Sequence, residues 1–262
     1  MNSIRPPETA HALIRFRDVQ IDSTLGAITC GDWEVAAGEA WFVAGGIAAG
    51  KTALVRSLAG LVPARSGRIE RFGMDWAGLP ESASLQQRRR LGVVLAREAG
   101  LFHQLTVLDN IRLPLRYHGG VNAREIDERA VQLLSALDLE RHAHIASTKL
   151  TPPMARRVLL ARALALGPEL LLLDDPCAGL DEWDRRWLIQ FLARLLAGHE
   201  LNDGRPLSLI ITGHTPADWR SFPNLRWAFL RDGALGVAGQ WEQLVASAPE
   251  LFHAGEVEPS PD

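Results

Sequence analysis

The sequence lacks several features that mark whole classes of protein. It has only two cysteines, Cys30 and Cys177, in no metal-type spacing, which indicates reduced thiols in a reducing compartment. Its net charge of −3 offers no basic surface for wrapping nucleic acid, so we expect no nucleic-acid partner. It shows no internal repeat and no low-complexity segment. The 262 residues therefore suit one large α/β domain or two small ones.

Long hydrophobic runs are also missing. No apolar stretch approaches the ~20 residues that a membrane-spanning helix needs. The richest stretch, residues 158–173, is interrupted by charged and turn-forming residues. Residues 1–11 contain no apolar segment of signal-peptide length. We therefore expect a cytoplasmic protein, and any role at a membrane must come through a partner.

One stretch carries the pattern of a phosphate-binding loop. Residues 43–52 read VAGGIAAGKT, between an apolar strand at 40–44 and a helical pattern at 53–61. Glycines let such a loop aim backbone N–H groups inward, and the next helix adds a partial positive charge. The pattern predicts that Lys51 reaches the β- and γ-phosphates of a nucleotide and that the Thr52 hydroxyl binds Mg²⁺. The remaining predicted nucleotide contacts come from the same loop and the start of its helix: Gly45, Gly46, Ala48, Ala49, Gly50 and Ala53.

An ordinary glycine-rich turn before a helix is the alternative reading of this stretch. The lysine, the hydroxyl and the strand–loop–helix context together favour the phosphate site.

A second element follows the leucine-rich strand at residues 169–173. A fully apolar strand bounded by a proline and two aspartates suits a parallel strand buried on both faces. Downstream of a phosphate loop, Asp174 is predicted to hold Mg²⁺ through water, and Asp175 lies where a general base would. The alternative is that these carboxylates cap the following turn.

Strands and helices alternate on both sides of a helical block at residues 102–149. This order predicts a parallel α/β core with a helical insert and an antiparallel strand group near the N-terminus. In that group, residues 13–21 form one strand and residues 27–35 its antiparallel neighbour. Residues 225–237 read as a hairpin that turns at Asp232-Gly233.

The stretch between the two nucleotide elements is more specific. Residues 150–181 read LTPPMARRVLLARALALGPELLLLDDPCAGLD. This resembles the ATP-binding subunit of ATP-binding cassette (ABC) transporters, which carries L-S-G-G-Q, A-R-A-L and L-L-L-D-E-P blocks at this spacing. The resemblance implies a P-loop α/β ATPase domain over residues 10–250, a helical subdomain at about 98–165 and a C-terminal tail at 251–262.

The resemblance also implies an activity and partners. It implies hydrolysis of ATP with Mg²⁺, a membrane permease partner, and a second ABC ATPase subunit, identical or different. The protein would lie on the inner face of the cell membrane, held by the permease. By position, Asp174 orders Mg²⁺, Asp175 activates water and His214 senses the γ-phosphate. Thr151 contacts the nucleotide of the other subunit, and residues 178–181 face that subunit.

Two short stretches resemble one branch of the family more closely. Residues 101–118 (LFHQLTVLDNIRLPLRYH) and the M-A-R-R of residues 154–157 are similar to bacterial lipid-asymmetry (Mla-type) transporter ATPases. That similarity implies phospholipid transport.

The chain departs from the family pattern at its nucleotide sites. Pro152 and Pro153 replace two signature glycines and remove backbone donors. Asp175 replaces a glutamate and is shorter by about 1.5 Å. The glutamine expected after the strand at residues 91–95 is replaced by Ala96 or Arg97. We therefore predict slow hydrolysis.

Aromatic residues pose a separate question. The aromatic ring that stacks on adenine is absent from residues 20–30, and Phe16 and Trp33 fit a core better than a ligand site. Trp183 and Trp187, four apart on one helix, are expected in the core or a dimer contact rather than on a ligand.

Two alternatives to a transport ATPase stay open. The chain could be a nucleotide-binding regulatory subunit paired with a competent ATPase, because its departures cluster at the nucleotide sites. A soluble ABC protein of DNA repair or translation ranks last, because those proteins carry paired cassettes or long coiled-coil inserts.

Overall fold

The computed structural model describes residues 12–95, 100–118 and 122–252. The chain divides into two compact units, Met1–Gly78 with Ile210–Asp262, and Leu79–Leu209. Three sequence expectations fall on residues outside these ranges: the interpretation of residues 1–11, the glutamine position at Ala96 or Arg97, and most of the C-terminal tail, residues 253–262. The proposed extents of the cassette domain, the helical subdomain and the tail stay predictions.

The described elements alternate as the sequence predicts. The strands are β1 (Ala12–Ser23), β2 (Gly26–Cys30), β3 (Trp33–Ala36), β4 (Ala40–Gly45), β5 (Ser66–Arg71), β6 (Met74–Asp75), β7 (Leu91–Val94), β8 (Leu170–Asp174), β9 (Ser208–Gly213), β10 (Leu225–Arg231) and β11 (Ala234–Gly239). The helices are α1 (Lys51–Leu58), α2 (Glu81–Arg88), α3 (Val107–His118), α4 (Ala123–Ala136), α5 (Pro152–Leu164), α6 (Glu182–Ala197) and α7 (Trp241–Ser247).

The first unit is built on a sheet in the order β6-β5-β1-β2-β11-β10-β4. The predicted antiparallel group is confirmed, because β1 pairs antiparallel with β2, β3 and β5. Strand β4 runs parallel to β10, and all of its residues are buried. This burial gives the phosphate loop a rigid origin in the core.

The prediction of one strand over residues 27–35 is wrong. The chain breaks between β2 and β3, which pair with different halves of β1. The physical reason is a bulge in β1, where Asp18 takes a φ of 46°. Phe16 and Trp33 are 0% and 3% exposed and pack edge to face, as expected for core residues.

The hairpin near the C-terminus is confirmed. Strands β10 and β11 pair antiparallel and turn at Asp232-Gly233. Both turn residues have positive φ, 50° and 70°, which is the geometry of a type I′ turn.

The second unit contains the parallel pair β7 and β8, in register from Leu91↔Leu170 to Val94↔Leu173. Every residue of β8 is buried, which confirms the prediction of a strand covered on both faces. Helix α4 starts with a capping box made by Asn122 and Glu125. The helix buries one apolar face, formed by Ala130, Leu133 and Leu134. Within the described part of the chain, no helix has both the length and the apolar character needed to cross a membrane.

Candidate functional site

The phosphate loop leaves β4 at Gly45 and enters α1 at Lys51. Ala48 and Gly50 take left-handed φ values of 61° and 97°. A Cβ added to Gly50 would lie 2.2 Å from Ile28 Cδ1, so both the backbone and the available space require glycine there. Alanine at position 48 instead holds a conformation that disfavours any Cβ.

Lys51 lies at the centre of this loop. Its side chain is buried, with the residue 6% exposed, and Nζ donates to the carbonyl oxygens of Gly45 and Gly46 at 2.7 Å each. Nζ also lies 3.1 Å from Nδ1 of His214. Because an ammonium can only donate, Nδ1 accepts, and the neutral ring then carries its proton on Nε2. Lys51 and His214 are far apart in the sequence, which predicted both for one site, and the fold brings them together.

The start of α1 is suited to an anion. Its first turn contains no acidic residue, and Gly50 supplies no side-chain cap. The helix dipole and the first N–H groups therefore favour negative charge at this end. Thr52 is exposed and Ala53 partly exposed in the same turn. This arrangement suits the phosphate chain predicted from the sequence.

A cleft of about 770 Å³ lies over the loop in the first unit. It is lined by the β1–β2 turn, the phosphate loop, His214 and the β10–β11 turn. Leu25 and Ile47 line it and are 77% and 86% exposed. Its volume suits a small-molecule ligand of nucleotide size. The described lining residues include no Phe, Tyr or Trp.

In the second unit, Asp174 ends β8 and is 2% exposed. Asp175 follows with a φ of 46°, and its carbonyl accepts from the Ala178 N–H at 3.1 Å. Aspartate enters the left-handed region more readily than most residues, so this backbone suits Asp175. Asp181 caps α6 by accepting from the Asp184 N–H at 2.9 Å.

Helix α5 begins with the two prolines. Thr151 occupies the N-cap position with extended backbone, φ −70° and ψ 157°, but its side chain makes no capping hydrogen bond. Pro152 and Pro153 fill the first helical positions, where N–H groups have no partner within the helix. The fold therefore accepts these prolines, because the N–H groups that they lack would have no partner within the helix.

Arg157 ties α5 to its neighbours. It donates to the Leu137 carbonyl at 3.3 Å and pairs with Asp138 at 2.9 Å. Its guanidinium lies 3.8 Å from the ring centre of Trp187. Trp187 therefore packs within the protein, whereas Trp183 is 82% exposed, so a core position is wrong for Trp183. The dimer-contact alternative for Trp183 stays a prediction.

Two arginines that the sequence did not single out donate hydrogen bonds to the C-terminal ends of α1 and α5. Arg71, 5% exposed, donates to the carbonyls of Ser57 and Leu58 at the end of α1. Arg129 donates to the carbonyls of Leu164 and Ala165 at the end of α5. Burial lowers the pKa of Arg129. No local pattern signals these contacts, because each arginine is far along the chain from its carbonyls.

The described residues contain no group of three or more His, Cys, Asp or Glu side chains placed to hold a metal ion. Mg²⁺ usually takes one or two protein carboxylates and completes its shell with water and phosphate oxygens. Taken separately, the Thr52 hydroxyl of the first unit and the Asp174 carboxylate of the second are each an oxygen ligand of the kind that Mg²⁺ takes.

Comparison with known proteins gives a family match. The family model described as ABC transporter matches residues 31–178, more than half of the chain. A methionine import ATP-binding protein, MetN 2 of Pseudomonas aeruginosa, is 32% identical over 180 residues, 69% of this chain and 52% of that protein. The intermembrane phospholipid transport ATP-binding protein MlaF of Haemophilus influenzae is 28% identical over 198 residues, 76% of this chain and 72% of that protein. The chain spans about half the length of the methionine import relative.

Solved structures show the same fold. The dimeric cassette MJ0796 bound to ADP and Pi has a TM-score of 0.71 at 24% identity, covering 85% of this chain and 96% of that one. The cbiO1 protein of Clostridium perfringens, part of a cbiONQ transporter complex, has a TM-score of 0.75 at 19% identity, covering 94% and 100%. The predicted P-loop ABC cassette fold is therefore confirmed.

Proposed function

Because the chain belongs to the ABC transporter family, we propose that it is the ATP-binding and ATP-hydrolysing subunit of an ABC transporter. The observation that carries this proposal is the buried Lys51 ammonium, which donates to the Gly45 and Gly46 carbonyls and lies 3.1 Å from Nδ1 of His214. Gly46 and His214 in turn line the nucleotide-sized cleft. A buried lysine at the N-terminus of a helix whose first turn has no acidic residue supplies both positive charge and N–H donors for a phosphate.

The proposed roles follow the family positions. Lys51 and the loop N–H groups bind the phosphates, Thr52 binds Mg²⁺, and Asp174 orders Mg²⁺ through water. When bound, Mg²⁺ supplies charge neutralisation on the phosphate oxygens. Asp175 accepts a proton from the attacking water, and His214 donates from Nε2–H toward the γ-phosphate. Thr151 contacts the nucleotide of a second subunit.

The test is calorimetric titration of the purified protein with Mg-ATP. The chain offers a matched control, because its two lysines are Lys51 and the exposed Lys149. We expect Lys51→Ala to abolish the binding heat and Lys149→Ala to keep it. Equal heats from both variants would refute the nucleotide site.

We propose that hydrolysis is slow, because the Asp175 carboxylate is one methylene shorter than glutamate. A misplacement of about 1 Å can slow chemistry ~100-fold. Steady-state ATPase measurements should give a rate above that of Lys51→Ala, and Asp175→Glu should raise it. If the wild type and Asp175→Glu both hydrolyse ATP no faster than Lys51→Ala, the second candidate is favoured. That candidate is a nucleotide-binding regulatory subunit paired with a competent ATPase. The two prolines at the start of α5 are the observation that supports that candidate.

The transporter context is a proposal as well. We propose a permease partner that holds this subunit at the inner face of the cell membrane, and a dimer of ATPase subunits.

Phospholipid is the proposed cargo, supported by residues 101–118, by residues 154–157 and by MlaF among the relatives. Relatives also include importers of methionine and of spermidine or putrescine. Purifying the complex from its native host and identifying the permease and any co-purifying lipid by mass spectrometry tests this assignment.

A further inference from the structure

Arg156 is the first of the two charged side chains in the M-A-R-R stretch of residues 154–157. It lies on α5, next to Arg157, but the two arginines make different contacts. Arg157 pairs with Asp138 and stacks on Trp187. Arg156 instead donates from Nη2 to the Ala178 carbonyl, 3.5 Å away, in the turn that follows β8.

The turn contacted by Arg156 carries the proposed general base. Asp175 opens it, and the Ala178 N–H donates back to the Asp175 carbonyl at 3.1 Å. Ala178 therefore connects Asp175 to Arg156 through its two backbone groups. A guanidinium that is hydrogen-bonded at the far end of the turn restrains the backbone of the segment that carries Asp175.

The electrostatics agree with this geometry. Burial lowers the pKa of the Arg156 guanidinium, and the negative charges of Asp175, Cys177 and Asp174 oppose that shift. An arginine stays charged in proteins, so a permanent positive charge faces both carboxylates that end β8.

One nitrogen of Arg156 gives a second, independent observation. Nη1 is buried and has no hydrogen-bond partner among residues 12–95, 100–118 and 122–252. A buried N–H of a charged group that has no hydrogen-bond partner lowers the stability of the fold. The presence of Arg156 here therefore needs a reason other than stability. Catalytic positioning is such a reason, because groups held for function often lower stability.

We propose that Arg156 is a positioning residue for hydrolysis, holding the Asp175 carboxylate and its turn in place for the attacking water. The inference rests on the proposed ATPase function. It assigns the two arginines separate tasks, with Arg157 supporting the helix and Arg156 supporting the chemistry.

The experiment compares Arg156→Gln, Arg156→Lys and the control Arg124→Gln in full-length protein. Arg124 lies in the same unit and is exposed, with its side chain 88% accessible. For each protein we measure kcat for ATP, Kd for a fluorescent ATP analogue, and the melting temperature. We expect Arg156→Gln to lower kcat at least ~10-fold. Its Kd should change less than about two-fold and its melting temperature should stay level or rise. Arg156→Lys keeps the charge and should recover kcat to within about three-fold of wild type.

Each other outcome overturns the proposal. An unchanged kcat in Arg156→Gln shows that the residue does not act on hydrolysis. A joint loss of kcat, ATP affinity and melting temperature shows a structural role only. A wild-type rate equal to that of Lys51→Ala removes the reaction and the positioning role together, while the Kd values still report whether nucleotide binding stands.

Discussion

Replacing Arg71 by methionine should destabilise the protein through the far end of the phosphate-loop helix. The guanidinium donates to Leu58 O at 2.7 Å, to Ile69 O at 3.2 Å and to Ser57 O. It also lies 5.1 Å from the ring centre of Trp76. Methionine has a similar length but no donors, so it keeps much of the packing and removes these hydrogen bonds.

The expected loss of stability follows from the carbonyl groups that lose a hydrogen-bond donor in Arg71→Met. Hydrogen bonds from a charged donor contribute about 1.5–3 kcal/mol each. The Ser57 carbonyl keeps the Gly60 N–H as a donor, at 3.0 Å, which softens its loss. Methionine also removes the cost of burying a charge. We therefore expect a net loss of about 3 kcal/mol. For a chain of this size that corresponds to a melting temperature ~6 °C lower, at about 2 °C per kcal/mol.

The assay is thermal unfolding followed by circular dichroism, with Arg68→Met as the matched control. Arg68 is on the same strand, but its side chain is 64% exposed and pairs with Asp75 at 3.3 Å. Exposed ion pairs contribute about 0–1 kcal/mol, so the control should melt within about 2 °C of wild type. Arg71→Lys should fall between the two, because a lysine cannot reproduce the planar fork. Equal melting temperatures for the Arg71→Met and Arg68→Met variants would show that the buried contacts do not stabilise the helix.

Three further expectations concern strain, thiol reactivity and packing. Ala48→Gly should raise the melting temperature by about 2 °C, because glycine avoids the cost of about 1 kcal/mol that a Cβ adds in a left-handed backbone conformation. A lower melting temperature would show that the backbone at Ala48 is not strained. Burial raises the pKa of the Cys30 thiol to about 12. In a Cys177→Ser variant at pH 8, thiol reagents should therefore label Cys30 no faster than the protein unfolds; fast labelling of folded protein contradicts its burial. Arg157→Lys should lower the melting temperature by about 2–4 °C through loss of the stack on Trp187, whereas an unchanged value means the stack contributes nothing.

Much of the fold and part of the site follow from the sequence alone. The strand–loop–helix around Lys51, the leucine strand that ends at Asp174 and the Asp232-Gly233 turn all depend on residues close together in the chain. Glycine conformation, apolar patterning and turn chemistry act over such short ranges, so local sequence specifies them. The sequence also determined the family, because its motifs combine residue types at fixed spacings.

Tertiary structure decided the rest. The bulge at Asp18 split a predicted strand in two, because register depends on the partner strands rather than on local pattern. Contact between Lys51 and His214 needs strands from opposite ends of the chain. Likewise, an arginine's partners are backbone carbonyls of distant helices, which carry no sequence signature. That is why Arg71 and Arg129 could not be assigned as helix caps before the fold was known.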